Sequence, residues 1–241
     1  MSIKAGPRSI SNGLVFEIDA GNYRSYIGSG ITVNALVGDI GGTLVNGVGF
    51  GISNTGSFYF DGTNDHILYN TLDIVKWQNW TQMTMEIIFK LDSYLGNSGN
   101  RQYLFDARDN GGTNGAYALF YDNFGASSGL KLFHNSTGTN YEQFTIVSSI
   151  TLGSINHYQV SFDKNTSSNN IQHYINGVNV FNRSTTINSA TSNSGRVWFG
   201  RYGGGNYLWN GNIYNFKFYN RILTQQEILQ NYNATKGRYG L

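Results

Sequence analysis

The sequence contains no cysteine and only one proline among its 241 residues. The absence of cysteine excludes disulfide bonds and thiolate metal sites. Charged residues make up 12% of the chain, which is about half of the usual share. The formal net charge is +2, and the lysines and arginines are scattered singly. We therefore predict no nucleic-acid partner, because nucleic acids are bound by clustered positive charge.

Long hydrophobic runs are also missing. No run approaches the ~18 apolar residues that a transmembrane helix needs, so we predict no membrane span. The first residues, Met1–Gly13, contain no apolar segment of the kind found in secretory signals. We therefore expect no signal peptide.

Glycine and aromatic residues are abundant instead, with 31 Gly, 17 Tyr and 15 Phe. This composition favours strands that are joined by tight turns. In residues 83–91, alternate positions are apolar throughout, which is the clearest strand pattern in the chain. About a dozen such segments follow one another, and the dipeptide Asn176-Gly177 between apolar flanks predicts a two-residue hairpin turn.

The closing segment, residues 211–235, changes from strand to helix periodicity. Its first part alternates, with Tyr214, Phe216 and Phe218 on one side, which predicts a half-buried strand. The second part begins at Thr224, and the pattern Thr-Gln-Gln-Glu predicts a capping box at the start of a short helix.

Two further residues support this helix, and a third is expected to end it. Leu223 precedes the cap and can pack on Ile228 as a hydrophobic staple. Gly237 is the predicted stop, because glycine accepts the left-handed conformation that often ends helices. Since Thr224 and Glu227 are explained by capping, we assign them no catalytic role.

These patterns predict an all-β fold, in which two antiparallel sheets form a jelly-roll sandwich with a short C-terminal helix. No break in composition marks a second domain. We predict an N-terminal arm at residues 1–12 and a single jelly-roll domain at residues 13–241.

Four stretches resemble the concanavalin A-like lectin/glucanase superfamily, in particular its laminin-G-like jelly rolls. Together they span nearly the whole chain, and they occur in the family's order. The four stretches are residues 13–22 (GLVFEIDAGN) at the opening strand, residues 56–67 (GSFYFDGTNDHI) at a hairpin, residues 174–178 (YINGV) preceded by residues 158–163 (YQVSFD), and residues 211–224 (GNIYNFKFYNRILT) with Glu227 and Ile228 at the closing strand and helix.

The opening Asp19-Ala20-Gly21-Asn22 and the terminal residues 231–240 also resemble stand-alone versions of this domain in tailed-phage virions. This resemblance implies a virion location after synthesis in the host cytoplasm. It further implies that capsid or tail proteins are partners and that host-surface polysaccharide is a ligand. It is compatible with either a monomer or a homo-oligomer.

Enzymatic activity is not expected. The glucanases that the chain resembles carry a strand reading Glu-x-Asp-x-x-Glu, and no such strand is present. Glu86 lies in the nearest pattern but lacks the second carboxylate that glycoside hydrolysis uses. The four histidines are isolated, so neither a catalytic triad nor a zinc spacing is visible.

The resemblance also implies a Ca²⁺ cofactor, because laminin-G-like domains often bind calcium through oxygen ligands on loops. The candidate ligands are Asp61, Asn64 and Asp65 in one turn, with Asp19 from a neighbouring strand end. The alternative is ordinary turn chemistry, in which Asp and Asn side chains bond to their own backbone. The acidic pair that the family's closing strand often carries is replaced here by Tyr214 and Asn215.

Aromatic residues beside glycine and asparagine are the candidates for carbohydrate binding, because sugar sites combine aromatic platforms with polar groups on loops. The alternative is a protein–protein contact, since tyrosine is also enriched at interfaces. The candidates are Trp77, Trp80, Tyr202, Asn206, Tyr207 and Trp209.

Together these observations favour a non-enzymatic virion structural or decoration protein, with a lectin-like domain that attaches to surface glycans. The alternative is a soluble carbohydrate-binding module or a degenerate glycoside hydrolase.

Overall fold

The computed structural model describes residues 7–52, 56–72, 81–95, 101–108, 117–137, 140–185 and 195–241. Within these ranges it contains sixteen β-strands and one α-helix. The first eight strands are β1 (Leu14–Asp19), β2 (Thr32–Asn34), β3 (Gly41–Val45), β4 (Gly49–Gly51), β5 (Ser57–Asp61), β6 (His66–Tyr69), β7 (Gln82–Leu91) and β8 (Arg101–Asp106). The others are β9 (Tyr117–Asp122), β10 (Gly129–Thr137), β11 (Asn140–Val147), β12 (Ile155–Asp163), β13 (Ile171–Ile175), β14 (Val178–Arg183), β15 (Val197–Phe199) and β16 (Asn210–Tyr219), followed by α1 (Gln225–Tyr239).

The strands form two antiparallel sheets, which confirms the predicted all-β sandwich. Sheet A has the order β14-β13-β12-β7-β16-β5-β4, and β1 pairs with the C-terminal half of β16. Sheet B has the order β11-β10-β9-β8-β15-β6-β3-β2. The core lies between the sheets, where aromatic rings such as Phe105 and Phe216 stack with centroids 5.2 Å apart.

The alternation predicted for residues 83–91 is confirmed. Met83, Met85, Ile87, Phe89 and Leu91 all lie in the core between the sheets. The residues between them point to the opposite face of sheet A, which the helix α1 partly covers. A strand in this position is buried on both faces, because its outer side is sealed by another element.

The prediction for β16 is wrong in two respects. The strand is buried on both faces rather than on one, because α1 packs over the outer side. In addition, a β-bulge shifts the register between Ile213 and Asn215. A bulge adds one residue and reverses the direction of the side chains. Tyr214 therefore packs outside with Ile88 and Tyr239, whereas Phe216 lies in the core.

The helix α1 begins as predicted and ends later. The Thr224 side chain accepts from the backbone N–H of Glu227, and the Glu227 carboxylate accepts from the N–H of Thr224, which completes the capping box. Gly237 lies within the helix, and Gly240 provides the left-handed residue at its end, with φ of 69°. In the described part of the chain, no helix has the length and apolar character needed to cross a membrane.

The two predicted hairpins have different outcomes. Asn176 and Gly177 have φ values of 51° and 78° and join β13 to β14, so this hairpin is confirmed. The turn at residues 61–65 is not a hairpin turn, because β5 belongs to sheet A and β6 to sheet B. The turn therefore connects the two layers of the sandwich.

A polar cluster lies between sheet A and α1. The fully buried Glu86 carboxylate accepts hydrogen bonds from Lys217 Nζ at 3.1 Å and Asn231 Nδ2 at 2.7 Å. Gln159 Nε2 donates to it at 3.1 Å, and His157 Nε2 lies 3.2 Å away. Burial alone would raise the pKa of Glu86, but Lys217 and His157 outweigh it and lower the pKa from its ordinary value of 4.5.

The described part of the predicted arm, residues 7–12, packs against the closing helix. Ile10 N–H donates to Asn231 Oδ1 at 2.7 Å, and Gln230 Nε2 donates to the carbonyl of Arg8 at 2.8 Å. The Ile10 side chain packs on the small apolar cluster that contains Leu223. This part of the arm is therefore held by the domain itself.

We expect the substitution Glu86→Gln to lower the free energy of unfolding by about 3–5 kcal/mol, because it leaves the buried Lys217 without its counter-charge. Chemical denaturation at neutral pH measures this loss. The lowered pKa of Glu86 means that its contribution is complete above pH 4.5 and is lost as the pH falls below that value. The free energy of unfolding of the variant should therefore lack the decrease at low pH that protonation of Glu86 causes in the unmodified protein.

The double variant Glu86→Gln with Lys217→Met provides the control, because it removes both charges. We expect it to be more stable than Glu86→Gln alone. Equal stability of the two variants would show that Lys217 does not depend on the Glu86 charge.

Candidate functional site

The loop at residues 200–209 connects β15 of sheet B to β16 of sheet A, so it crosses one end of the sandwich. Its first residue is Gly200, with φ of 83°. A Cβ atom added there would lie 2.4 Å from the ring of Phe60. Only glycine fits this close approach, and the loop therefore leaves sheet B along a fixed path.

Trp209 anchors the other end of the loop and corrects a predicted site residue. Its side chain is fully buried, and its ring lies 5.7 Å from that of Phe89 in an edge-to-face arrangement. Its Nε1 donates to the carbonyl of Lys90 at 3.2 Å. The predicted role of Trp209 in carbohydrate binding is therefore wrong, because neither face of its ring is open to a ligand.

The middle of the loop is fastened to sheet B by backbone hydrogen bonds. Gly203 N–H donates to the Asp106 carboxylate at 3.0 Å. Tyr103 N–H donates to the carbonyl of Tyr207 at 3.2 Å. Within the loop, Gly205 N–H donates to the carbonyl of Tyr202 at 3.0 Å. These bonds hold both tyrosines against the outer face of sheet B.

Five aromatic residues then form what we call the aromatic cluster: Tyr103, Phe120, Phe133, Tyr202 and Tyr207. Tyr202 and Tyr207 have ring centroids 5.5 Å apart and lie 5.1 and 5.9 Å from Tyr103. Tyr103 in turn stacks on Phe120 at 4.7 Å. Phe133, Tyr202 and Tyr207 are only partly buried, so the cluster presents aromatic surface on the outer face of sheet B.

A buried ion pair supports the aromatic cluster. The Arg108 guanidinium lies 4.5 Å from the ring centroid of Phe133 and 5.0 Å from that of Tyr202. It also makes two hydrogen bonds to the Asp106 carboxylate, at 2.8 and 2.9 Å. Burial alone would lower the pKa of Arg108, but Asp106 outweighs it and raises the pKa. The cation therefore remains charged among the rings, where cation–π attraction is strong.

A polar cavity of about 240 Å³ lies beside the same loop. It is formed where the loop meets the turn after β3 and the turn between β5 and β6. Asn46 Nδ2 donates to the carbonyl of Asn64 at 3.1 Å and joins these two turns. The lining residues are Asn46, Thr63, Asn64, Arg201, Gly205, Asn206 and Leu208.

The structure therefore brings together three of the predicted carbohydrate residues. Tyr202 and Tyr207 belong to the aromatic cluster, and Asn206 lines the polar cavity on the same loop. Trp77 and Trp80 lie outside the described residues. Tyr103, Phe120, Phe133 and Arg108 were not predicted.

Two residues of the predicted calcium turn, Asp61 and Asp65, make the local backbone bonds of the alternative interpretation. Asp61 Oδ1 accepts from Thr63 N–H at 2.7 Å, and Asp65 Oδ2 accepts from Asp61 N–H at 3.2 Å. Burial raises the pKa of Asp65, and the hydrogen bond from the Asp61 backbone N–H partly opposes this rise. Each carboxylate still has a second oxygen, so these residues retain donors for a hard cation.

Asp19 does not belong to this group, which corrects the prediction. Asp19 and Asp61 pair with Asn215 and Asn210, five positions apart along β16, which corresponds to about 17 Å. The Asp19 carboxylate instead forms a two-fold ion pair with Arg238 of α1, at 2.6 Å for each bond. Among the described residues, no group of three or more His, Asp or Glu side chains is arranged to hold a metal ion.

Two facing antiparallel sheets with an exposed aromatic and polar loop at one end define a lectin-like β-sandwich. The chain belongs to the concanavalin A-like lectin/glucanases superfamily, whose family model matches residues 61–229. A search of the curated proteins found no match to the sequence.

Solved structures with this fold include two binding domains of botulinum neurotoxin. The serotype D domain has a TM-score of 0.67 at 13% identity, over 91% of this chain and 51% of its own. The DC domain, in complex with SialylT, has a TM-score of 0.69 at 10% identity, over 92% and 51%. A Trypanosoma rangeli sialidase has a TM-score of 0.60 at 14% identity, over 94% and 33%. The chain thus spans about half of the toxin domains and a third of the sialidase.

The calcium site stays a prediction and is reduced to Asp61, Asn64 and Asp65. If calcium binds there, millimolar CaCl₂ should raise the melting temperature relative to the same protein in EDTA, because a ligand that binds only the folded state stabilises it. The variant Asp65→Asn should lose this increase. A melting temperature that does not depend on calcium would leave these residues with their turn bonds alone.

Proposed function

We propose that the chain is a non-enzymatic glycan-binding protein of a virion, and that the aromatic cluster and the adjoining polar cavity form its binding site. The observation that carries this proposal is the 200–209 loop, which presents aromatic rings on one side and Asn and Arg side chains on the other. Saccharides are amphipathic, and sites of this composition match their apolar ring faces and their hydroxyl groups.

The support of the rings also favours binding. Tyr202 and Tyr207 are held by backbone hydrogen bonds to sheet B and by contact with Tyr103. A ligand that stacks on them would not have to order a free loop, and this preorganisation favours affinity. Tyr207 has φ of 25°, an uncommon value for a tyrosine, and such conformations are concentrated at functional sites.

The carboxylates on this face of sheet B are unsuited to glycoside hydrolysis. Asp106 is fully buried and bonded to Arg108. Asp122 is paired with Lys131 at 2.9 Å and with Arg101 at 3.5 Å. Hydrolysis needs one carboxylic acid and one carboxylate that both reach the sugar, and these groups are instead committed to cations. Their pairing supports binding without catalysis.

Glu86 is unsuited for another reason. It is fully buried beneath α1, with its oxygens taken by Lys217, Gln159 and Asn231. A saccharide could reach it only if the helix left sheet A. The sialidase among the similar structures shares the fold over a third of its length, and it supplies no argument for catalysis by this chain.

A virion role requires a surface that contacts other proteins, and one apolar patch is suited to it. Tyr23, Ile27, Ile31 and Ile52 are largely exposed, with Ile52 at 88%. Tyr23, Ile27 and Ile52 line a shallow cavity of about 280 Å³ beside β4, at the edge of the sandwich. Ile31 lines a neighbouring cavity of about 270 Å³, which Ile27 also borders. Exposed apolar patches of this kind mark protein contacts. Since residues 8–10 bind α1, we assign docking to this patch rather than to the arm.

The alternative function is a soluble carbohydrate-binding module or a degenerate glycoside hydrolase. It would use the same aromatic cluster, since the fold and the loop are common to both interpretations. In this alternative the apolar patch would not contact another virion protein.

We expect Tyr202→Ala and Tyr207→Ala each to weaken binding to surface polysaccharide by about 10-fold or more, because each loses a stacking platform. Isothermal titration calorimetry measures this change, with surface polysaccharide isolated from the host cells of the proposed virion as the ligand. Tyr23→Ala is the matched control, because it removes an exposed tyrosine that lies away from the loop.

Equal weakening in all three variants would contradict the assignment of the site. Release of reducing sugar from a bound polysaccharide, at a rate above that of a heat-inactivated sample, would contradict the proposal that the chain is not an enzyme.

For the virion role, we expect the double substitution Ile27→Asp with Ile31→Asp to remove the protein from purified particles, because charge in an apolar contact is strongly unfavourable. Mass spectrometry of particles purified from complemented phage measures the number of copies. The control Val178→Asp with Val180→Asp changes exposed residues on β14, at the opposite edge of sheet A. Absence of the unmodified protein from particles would favour the soluble module.

A further inference from the structure

The polar cavity contains an arginine whose charge has no partner in the described part of the chain. Arg201 is half-buried and lines the cavity. Arg101, Arg108, Arg221 and Arg238 each form an ion pair with a carboxylate, but Arg201 forms none. A half-buried guanidinium that lacks a counter-charge is well placed to receive one from a ligand.

We propose that Arg201 binds the carboxylate of an acidic saccharide, and that the polar cavity is the subsite for that sugar unit. This inference rests on the proposed glycan-binding function and names the class of glycan. The guanidinium is planar and always charged, so it can bind a carboxylate through two parallel hydrogen bonds.

The other lining residues suit the remainder of such a sugar. Asn46, Thr63, Asn64 and Asn206 provide amide and hydroxyl groups, which can both donate to and accept from sugar hydroxyls. The volume of about 240 Å³ lies just below the ~300–1,000 Å³ range of pockets for larger ligands. The cavity therefore fits one saccharide unit, while neighbouring units of the chain can lie along the loop.

The surrounding charges are compatible with an anion at this position. His66 is buried beside the cavity turn, and its Nδ1 lies 3.1 Å from the carbonyl of Asn64. Burial lowers the pKa of His66, the contact with the Asn64 carbonyl partly opposes this, and the charge of Arg201 lowers the pKa further. Asp61 and Asp65 each bond to a backbone N–H of their own turn, and neither forms an ion pair with Arg201.

The shape of the loop keeps the guanidinium accessible. Gly205 has φ of 115°, and a Cβ atom added to it would lie 3.9 Å from Arg201 Nη2. The loop backbone therefore runs beside the guanidinium. The hydrogen bond from Gly203 to Asp106 fixes the loop backbone two residues after Arg201.

The test compares polygalacturonate with its fully methyl-esterified form, which has the same backbone but no free carboxylate. A second arm compares a sialylated oligosaccharide with its asialo form, so that the two sources of a sugar carboxylate are distinguished. Binding is measured by titration with the unmodified protein, Arg201→Gln, Arg201→Lys and the control Arg24→Gln, which removes an exposed arginine away from the cavity.

We expect the unmodified protein to prefer the carboxylated member of at least one pair. Arg201→Gln should reduce that binding by about 10- to 100-fold, down to the level of the neutral form. Arg201→Lys should retain only part of the binding to the carboxylated form, because an ammonium group lacks the planar fork of a guanidinium. Arg24→Gln should bind like the unmodified protein.

Two results would overturn the inference while the glycan-binding function stands. One is equal affinity for carboxylated and neutral forms, and the other is a preference for the carboxylate that Arg201→Gln leaves unchanged. Loss of binding to every glycan upon Tyr202→Ala, together with no effect of Arg201→Gln, would place the whole ligand on the aromatic cluster. Failure of the unmodified protein to bind any saccharide would instead reject the proposed function.

Discussion

The burial of one carboxylate, Glu86, constrains the outer side of sheet A. A buried carboxylate is strongly unfavourable unless it is paired and hydrogen-bonded, and the partners of Glu86 come from three different elements. Lys217 lies on β16, Gln159 on β12 and Asn231 on α1. The helix must therefore lie on this face, and its Asn231 also binds the backbone of Ile10. The closing helix and the N-terminal segment are thus fixed by the same buried charge.

Because α1 covers part of the outer side of sheet A, the candidate binding residues lie on the outer side of sheet B and at one end of the sandwich. The 200–209 loop joins the two sheets, so its two sides face different surroundings. One side lies on sheet B and contributes Tyr202 and Tyr207 to the aromatic cluster. The other side faces the turns after β3 and β5 and contributes Arg201 and Asn206 to the polar cavity. A single connection thereby combines stacking surface with hydrogen-bonding groups.

The sequence predicted much of the fold because several of its signals are local. The alternation in residues 83–91, the Asn176-Gly177 turn and the capping box at Thr224 each depend on neighbours within a few residues. The errors arise where a distant element intervenes. The bulge that turns Tyr214 outward depends on the pairing of β16 with β7, and Trp209 is buried because β7 supplies Phe89.

Only the local part of the candidate binding site was predicted, because its other residues come from distant elements. A Gly-rich loop with Tyr202, Asn206 and Tyr207 is visible in the sequence, whereas Tyr103 and Arg108 look like ordinary residues at the end of a strand. By itself, the sequence determined the two-sheet class of fold, the closing helix and the loop that carries the site. Only the tertiary structure decided that Asp19 pairs with Arg238 and that Arg201 has no counter-charge among the described residues. Such pairings join residues up to 219 positions apart, and they depend on the order of strands in the sheets, which no local pattern specifies.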